Sequence, residues 1–176
     1  MATVRKINSI KLSPANKNDI FQLISLINKA YRGEEGWTKE NEIIAGDRLS
    51  EDDLKKILND KNSFLFVMRD KQYIISSICI EKRDNYAYIG LFAVKPQLQT
   101  YGLGKQVLAF AEQYIKIKLQ QYKVRIAVVS QRDELIAYYE RRGYKRIGKI
   151  ERYPLHLAVG KPKKENLTIE YLEKNL

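Results

Sequence analysis

A loop with two glycines, between a predicted strand and a predicted helix, is the first place in this sequence where chemistry can be expected. It lies within Val94–Lys105 and contains Gly102 and Gly104. Glycines lack a Cβ, and a helix start presents free backbone N–H groups, so this segment can cradle an anion. The spacing excludes two common phosphate loops. A P-loop would need Gly where Gln99 stands, and a Rossmann fingerprint would need Gly where Val107 stands.

Cys79 and His156 are the only cysteine and histidine in 176 residues. A single cysteine excludes an intrachain disulfide and a cysteine-based zinc site. A single histidine excludes any mechanism that needs two imidazoles. We interpret Cys79, which lies in an isoleucine-rich segment, as a core residue, and His156 as a structural or solvent-facing residue. The sequence therefore predicts neither a metal site nor triad chemistry.

The formal net charge of +11 lies mostly in the second half of the chain. Residues 1–88 carry 15 basic and 13 acidic side chains and residues 89–176 carry 17 and 8, giving net charges of +2 and +9. Such an excess suits a nucleic acid or a small polyanion such as a nucleotide, or it is simply a solvated basic surface. Composition alone leaves these alternatives open.

No segment of the sequence indicates a membrane partner. The longest uncharged apolar run, Tyr86–Val94, is far shorter than the ~20 residues of a membrane helix. The first residues lack an apolar signal core. The first acidic residue is Asp19, which leaves a transit peptide as an alternative. We expect a cytoplasmic protein.

Hydrophobic periodicity predicts one mixed α/β (α+β) domain over residues 1–176. The strands are mostly antiparallel, with a parallel crossover around the third helix. Gly33 and Gly143 are predicted to end the first and last helices. The predicted helices are Asp19–Tyr31, a second beginning after Ser50, Leu103–Leu119 and Asp133–Arg142, and the predicted strands are Ile7–Leu12, Ser63–Met68, Gln72–Glu81, Asn85–Val94, Lys123–Val129, Tyr144–Ile150 and Leu167–Leu172.

Two motifs on these elements resemble the GNAT superfamily of acyl-CoA-dependent N-acyltransferases. Residues 99–104 read Gln-x-x-Gly-x-Gly, which is similar to the pyrophosphate-binding motif of that family. Tyr138 and Tyr139, followed by Gly143 and Tyr144, are similar to its aromatic-Tyr-x-x-x-Gly-aromatic signature. The resemblance implies the GNAT fold, a mixed, mostly antiparallel sheet of about seven strands flanked by about four helices.

The resemblance also implies an activity, transfer of the acetyl group of acetyl-CoA to a primary amine of a small molecule or peptide. In this family a tyrosine protonates the departing thiolate, and Tyr139 matches it. A backbone N–H in Leu91–Val94 would stabilise the oxyanion. The implied cofactor-binding residues lie on this strand and on the glycine loop, and they are Phe92, Ala93, Val94, Gln99, Gly102, Leu103, Gly104 and Lys105.

Several roles stay open at this point. The general base is unresolved among side chains near the expected cleft or a chain of waters, the side chains being Glu34, Glu35, Glu81, Tyr86 and Tyr88. Trp37 either walls the acceptor pocket or pins its loop, and Tyr138 is assigned to the core. Arg132 stands where the family often has Asn. We expect Arg132 to face solvent, with contact to the cofactor phosphates as the alternative.

Two other functions compete with the enzyme. One is a CoA-binding sensor that kept the fold without turnover, and the other is a nucleic-acid-binding protein, suggested by a pI of about 9.6. The sequence lacks the usual nucleic-acid motifs, so no nucleic-acid partner is expected. The acceptor loops, residues 31–45 and 152–166, carry acidic and basic side chains respectively. Because the two loops favour different acceptors, the sequence predicts the acceptor only as a primary amine. We expect the protein to be a monomer or a homodimer.

Overall fold

The computed structural model describes residues 11–35, 40–157 and 159–176, which form nine strands and four α-helices. The helices are α1 Ile20–Arg32, α2 Glu51–Asn59, α3 Leu103–Lys118 and α4 Asp133–Glu140. The strands are β1 Leu12–Pro14, β2 Ile44–Ala45, β3 Ser63–Asp70, β4 Tyr73–Lys82, β5 Ala87–Val94, β6 Lys123–Val129, β7 Lys145–Arg152, β8 Lys161–Pro162 and β9 Thr168–Asn175.

Seven strands form one sheet in the order β1-β3-β4-β5-β6-β9-β7. Only β5 and β6 pair in parallel, and every other neighbouring pair is antiparallel. The predicted mixed fold, with its crossover through the third helix, is therefore confirmed. The strands β2 and β8 form a separate two-stranded sheet that the sequence did not predict. Two-residue strands carry too few side chains to show a period.

Helices cover both faces of the large sheet. On one face α1 and α2 bury Leu23, Ile27 and Leu54, the apolar positions that the helical period predicts. On the other face α3 and α4 bury Val107, Ile115 and other side chains spaced by three or four residues. Apolar surface buried on each face stabilises the packing of the helices on the sheet by about 25 cal/mol per Å².

The ends of the helices follow their capping residues. Ser50 accepts a hydrogen bond from the Asp53 N–H and begins α2, as an N-cap serine should. Gly33 ends α1 as predicted, but not by adopting positive φ. Its φ is −72°, and its N–H donates to the Lys29 carbonyl. A Cβ at Gly33 would lie 2.4 Å from that oxygen, so close approach explains the glycine.

Two predicted features differ from the structure or fall outside it. The first described strand is Leu12–Pro14, whereas most of the predicted strand 7–12 lies outside the described residues. The helix predicted over 133–142 ends at Glu140 because residues 141–143 form a turn.

Within the described part of the chain, none of the helices has the length and apolar character needed to span a membrane.

Candidate active site

A cleft opens where β5 and β6 separate. These parallel strands pair over only three residues, from Ala87 with Val124 to Ile89 with Ile126. Beyond that point β5 stays paired with β4 and β6 stays paired with β9. The facing backbone edges of β5 and β6 are therefore separated along their C-terminal halves. An extended ligand can enter between them and hydrogen-bond to backbone N–H and C=O groups that no neighbouring strand pairs with.

A bulge in β5 sets the orientation of the cleft wall. Leu91 has a φ of +44°, and the register between β4 and β5 shifts at this level. Ile89 packs with the α3/α4 face and Leu91 with the α1/α2 face, although residues two apart in a regular strand face the same side. The bulge therefore reverses the side chains that follow, and Phe92 packs toward the face that α3 and α4 cover.

Two buried serines fix that bulge from β4. The Ser77 hydroxyl donates to the Leu91 carbonyl at 2.9 Å, and the Ser76 hydroxyl donates to the Ala93 carbonyl at 2.7 Å. Backbone groups of successive strand residues point to opposite edges. The Leu91 and Ala93 carbonyls therefore point toward β4, whereas the Phe92 N–H approaches the hydroxyl of Tyr31, which lines the cleft. The oxyanion role that the resemblance implied for a backbone N–H of this segment stays a prediction.

The glycine loop delivers a second set of free donors. Gly102 adopts a left-handed conformation, with φ of +77°, and no side chain caps α3 there. The first helical hydrogen bond runs from the Gln106 N–H to the Gly102 carbonyl. The N–H groups of Leu103, Gly104 and Lys105 therefore have no acceptor within the helix. They lie at the positive end of the helix dipole, which favours an anionic ligand.

Gln99 and Gly104 shape the loop from either side. The Gln99 side-chain amide donates to the Val94 carbonyl at 3.0 Å, which holds the loop against the end of β5. A Cβ at Gly104 would lie 2.9 Å from the Tyr138 hydroxyl and 3.5 Å from the Phe92 ring. A side chain at this position would therefore displace the Tyr138 hydroxyl.

A cavity of about 330 Å³ joins the cleft, the glycine loop and α4. All but one of the predicted cofactor-binding residues line it, together with Tyr139. Leu103 is the exception, because its side chain is buried in the core and only its backbone faces the loop. The described lining residues are Ala30, Tyr31, Glu40, Phe92, Ala93, Val94, Gln99, Thr100, Gly102, Gly104, Lys105, Arg132, Leu135, Tyr138, Tyr139, Arg141 and Arg142.

The C-terminus of α4 is locked beside the cavity by Gly143. The Tyr144 N–H donates to the Tyr139 carbonyl and the Gly143 N–H donates to the Glu140 carbonyl, with Gly143 at a φ of +89°. This is a Schellman motif, and the Tyr139 and Tyr144 rings supply its hydrophobic contact at 5.7 Å between centroids. The predicted role of Gly143 in ending the helix is confirmed.

Tyr139 is only 6% exposed and packs edge-on against Tyr138. Burial raises the pKa of Tyr139 well above its usual value, and the neighbouring Tyr31 raises it further. A hydroxyl in this state stays protonated at neutral pH, which suits a proton donor and not a base. Tyr138, which we assigned to the core, is half-buried and also lines the cavity.

Basic side chains surround the glycine-loop end of the cavity. The Arg142 guanidinium lies 3.4 Å above the Tyr138 ring and donates to the Tyr138 carbonyl. Its buried Nε has no hydrogen-bond partner among the described residues. Lys105 and Arg141 line the same cavity. Uncapped N–H groups, an unpartnered guanidinium nitrogen and two more cations fit a pyrophosphate.

Arg132 is buried, so the expectation that it faces solvent is wrong. It is 6% exposed at the start of α4 and lies 3.7 Å from a Glu40 carboxylate oxygen, between Nη1 and Oε1. Glu40 also pairs with Arg32, and all three side chains are less than 10% exposed. The sequence missed this cluster because Arg132 is remote in the chain from Arg32 and Glu40.

Tyr31 is a further lining residue that the sequence did not single out. Burial raises its pKa, whereas Arg48 and the Phe92 backbone N–H oppose that rise. The Tyr31 hydroxyl therefore lies close to the backbone donor of the cleft. Helical spacing from Leu23 and Ile27 could have placed Tyr31 near the sheet, but nothing local indicated a cavity.

None of the candidate general bases is among the described lining residues of the cavity. Glu81 pairs with Arg83, and the Tyr86 ring lies 4.2 Å beneath the Arg125 guanidinium. Glu34 and Glu35 line a different cavity, beside α1. Burial and the nearby Tyr31 raise the pKa of Tyr88, although Arg48 opposes this. The general base stays unresolved.

The remaining single residues are placed as follows. His156 is exposed in a short 3₁₀ helix. Cys79 is buried in the α1/α2 face, as predicted for a core residue. Trp37 lies outside the described residues. Among the residues that are described, His, Cys, Asp and Glu side chains form no group of three that could hold a metal ion.

Comparison with known proteins supplies the family. The acetyltransferase (GNAT) domain profile matches residues 30–153. No curated protein matches significantly. The chain therefore belongs to the GNAT acetyltransferase family, and the predicted resemblance is confirmed.

Solved structures share this fold at low sequence identity. The smu.2055 protein of Streptococcus mutans UA159 has a TM-score of 0.73 at 18% identity, covering 94% of this chain and 98% of that one. An N-acetyltransferase from Staphylococcus aureus Mu50 has a TM-score of 0.73 at 15% identity, covering 95% of this chain and 97% of that one. A Vibrio cholerae spermidine N-acetyltransferase, in complex with CoA and spermine, has a TM-score of 0.69 at 16% identity, covering 94% of this chain and 95% of that one. At these identities the likeness concerns the fold.

Proposed function

We propose that this protein transfers the acetyl group of acetyl-CoA directly to a primary amine of a small molecule or peptide. The observation that carries the proposal is the cleft between β5 and β6, which leads to the uncapped N-terminus of α3. An extended arm with an amide backbone fits such a cleft, and a pyrophosphate fits such a helix end. CoA carries both groups.

Each part of the site has a role in this reaction. Acetyl-CoA supplies an activated thioester. The N–H groups of Leu103, Gly104 and Lys105 hold the pyrophosphate, with Gln99 bracing the loop. The backbone of Phe92, Ala93 and Val94 orients the arm, and the Phe92 N–H polarises the acyl oxygen.

Tyr139 completes the mechanism as general acid. Its hydroxyl is kept protonated by burial and can give a proton to the departing thiolate. No metal takes part in these steps. A cytoplasmic location and a monomeric or homodimeric state stay predictions from the sequence.

Acetyl-CoA binding and turnover test the proposal separately. Calorimetry with acetyl-CoA should give saturable binding of one molecule per chain, and free thiol should appear when primary amines are added. Binding without thiol release across small amines, amino acids, aminoglycosides and peptides would favour a CoA sensor instead. Salt-dependent DNA or RNA binding in a protein that does not bind CoA would favour the nucleic-acid alternative.

A further inference from the structure

The guanidinium of Arg132 has one nitrogen whose hydrogen-bonding capacity is unused. Its Nε donates to Glu134, and its Nη1 lies 3.7 Å from the Glu40 carboxylate. Its Nη2 is buried and has no hydrogen-bond partner among the described residues. A buried donor without an acceptor is costly, so its acceptor is expected from a group that enters the site, an ordered water or a ligand. Arg132 lines the cavity, so the ligand comes from there.

The charges around Arg132 do not balance. Arg32, Glu40 and Arg132 are all buried, which places two cations and one carboxylate together. Glu134 pairs with Arg132, but its side chain is 46% exposed and therefore screened by solvent. Glu40 is the only acidic side chain among the described residues of the cavity wall. This end of the cavity therefore carries a positive charge that an anionic group would neutralise.

Arg32 does not share this free capacity. Its Nε donates to the Gly46 carbonyl and its Nη2 to the Val159 carbonyl, while Nη1 pairs with Glu40. It therefore acts as a fixed support for the Glu40 carboxylate. Of these two arginines, only Arg132 has a guanidinium nitrogen without a partner among the described residues.

Arg132 lies at the opposite end of the cavity wall from the glycine loop. It precedes α4, whereas Tyr138, whose hydroxyl approaches Gly104, lies six residues later. A rise of 1.5 Å per residue separates the two positions by about 9 Å along the helix axis. The end near Gly104 already has its own cations. The Arg132 end is free for the second substrate.

We propose that Arg132 binds a carboxylate of the amine acceptor, which makes the acceptor an amino acid or another amine with a nearby carboxylate. This inference rests on the proposed acetyl transfer and names its substrate class. A carboxylate supplies the missing acceptor for Nη2 and the missing negative charge in one group. A polyamine supplies neither, because it brings only positive charge to a positive site.

The test compares matched pairs of amines that differ only by the carboxylate. L-phenylalanine is paired with 2-phenylethylamine, L-lysine with cadaverine and L-methionine with 3-(methylthio)propylamine, and spermidine is added. For the wild type, kcat/KM should be about 10- to 100-fold higher for the carboxylate member, the range expected for a hydrogen bond to a charged group. Equal rates within pairs, preference for the decarboxylated member or spermidine, or turnover of none of these amines would overturn the inference.

Variants assign the preference to Arg132. Arg132→Gln should reduce the within-pair ratio toward one by raising the KM of the carboxylate member, and Arg132→Lys should retain part of it. The KM of acetyl-CoA should stay unchanged. A rise in that KM with an intact amine preference would assign Arg132 to the cofactor and overturn the inference. Arg146→Gln, on the exposed strand β7, removes one positive charge outside the cavity and should retain the wild-type ratio.

The readouts separate this inference from the proposed function. Thermal melting establishes that each variant folds, and the wild-type ratios do not depend on any variant. If acetyl-CoA does not bind at all, the proposed function fails. If acetyl-CoA binds and amines are acetylated without regard to a carboxylate, only the assignment of Arg132 fails.

Discussion

Gly104 and Tyr138 approach so closely that a Cβ on the glycine would lie 2.9 Å from the tyrosine hydroxyl. The tyrosine ring has little room to retreat, because the Arg142 guanidinium is stacked on it at 3.4 Å. The contact joins the start of α3 to α4 at the mouth of the cavity. It explains why the second glycine of the loop is needed at a helical position, where alanine would otherwise be favoured by about 1 kcal/mol.

Gly104→Ala should weaken acetyl-CoA binding about 10-fold or more, because overpacking costs about 1–3 kcal/mol. The fold should persist, since the added helix propensity offsets part of the strain. Calorimetry with acetyl-CoA measures the loss. The double variant Gly104→Ala/Tyr138→Phe, which removes the opposing hydroxyl, should recover part of the affinity. Unchanged binding in the single variant would show that the glycine loop does not hold the cofactor.

Tyr139→Phe should lower kcat by about 10²-fold or more, the usual contribution of a general acid, with acetyl-CoA affinity retained. The ring and its contacts with Tyr138 and Tyr144 remain, so stability should change little. Steady-state kinetics together with acetyl-CoA titration separate the two effects. Because burial raises the pKa of Tyr139 well above 10, its deprotonation should cause no fall in wild-type kcat between pH 7 and 10. Wild-type turnover in the phenylalanine variant would exclude the role.

Local sequence signals predicted those elements whose bounds depend on residues nearby in the sequence. The strand Lys123–Val129 has the predicted bounds, because a short apolar run is bounded by polar residues. Gly143 ends the last helix for a reason visible in the sequence, since a glycine directly follows two basic residues at the end of a helical pattern. The strand-to-helix junction at the glycine loop was also predicted, since the loop lies between an apolar strand pattern and a helical period. The role of this loop in holding a cofactor stays a prediction.

The sequence could not predict features that depend on distant segments. Arg132 was predicted to face solvent. Its burial could not be predicted because it depends on Glu40 and Arg32, which are remote from it in the chain. The bulge at Leu91 has no local signal, because the serines that hold it belong to the neighbouring strand. Tyr31 looked like one more residue of an amphipathic helix. These features lie at the end of the cavity that we propose for the acceptor, so the proposed substrate class was the part least accessible from the sequence.

Glu40→Gln should lower the free energy of unfolding by about 3 kcal/mol, because removing one partner leaves buried guanidinium groups uncompensated. Urea unfolding at neutral pH gives the difference. Glu134→Gln is the matched control, since it removes a half-exposed carboxylate from the same arginine and should cost less than about 1 kcal/mol. Equal, small losses in both variants would show that the Glu40 cluster does not contribute to stability.

Cys79→Ala should flatten the loss of stability at alkaline pH. Burial raises the pKa of the Cys79 thiol from 9.0 to about 12. The unfolded chain releases the proton first as pH rises, so the folded state is favoured less and less from pH 9 to about 12, by up to about 1.4 kcal/mol per pH unit. Below pH 9 both states keep the proton and no such slope exists.

Urea midpoints measured at pH 8, 9.5 and 10.5 should therefore fall more steeply for wild type than for the alanine variant. The alanine variant is less stable at pH 8 because of the cavity it creates, and the buried tyrosines contribute the same alkaline slope to both proteins. Parallel slopes would mean that the thiol ionises in the folded state as readily as in the unfolded chain.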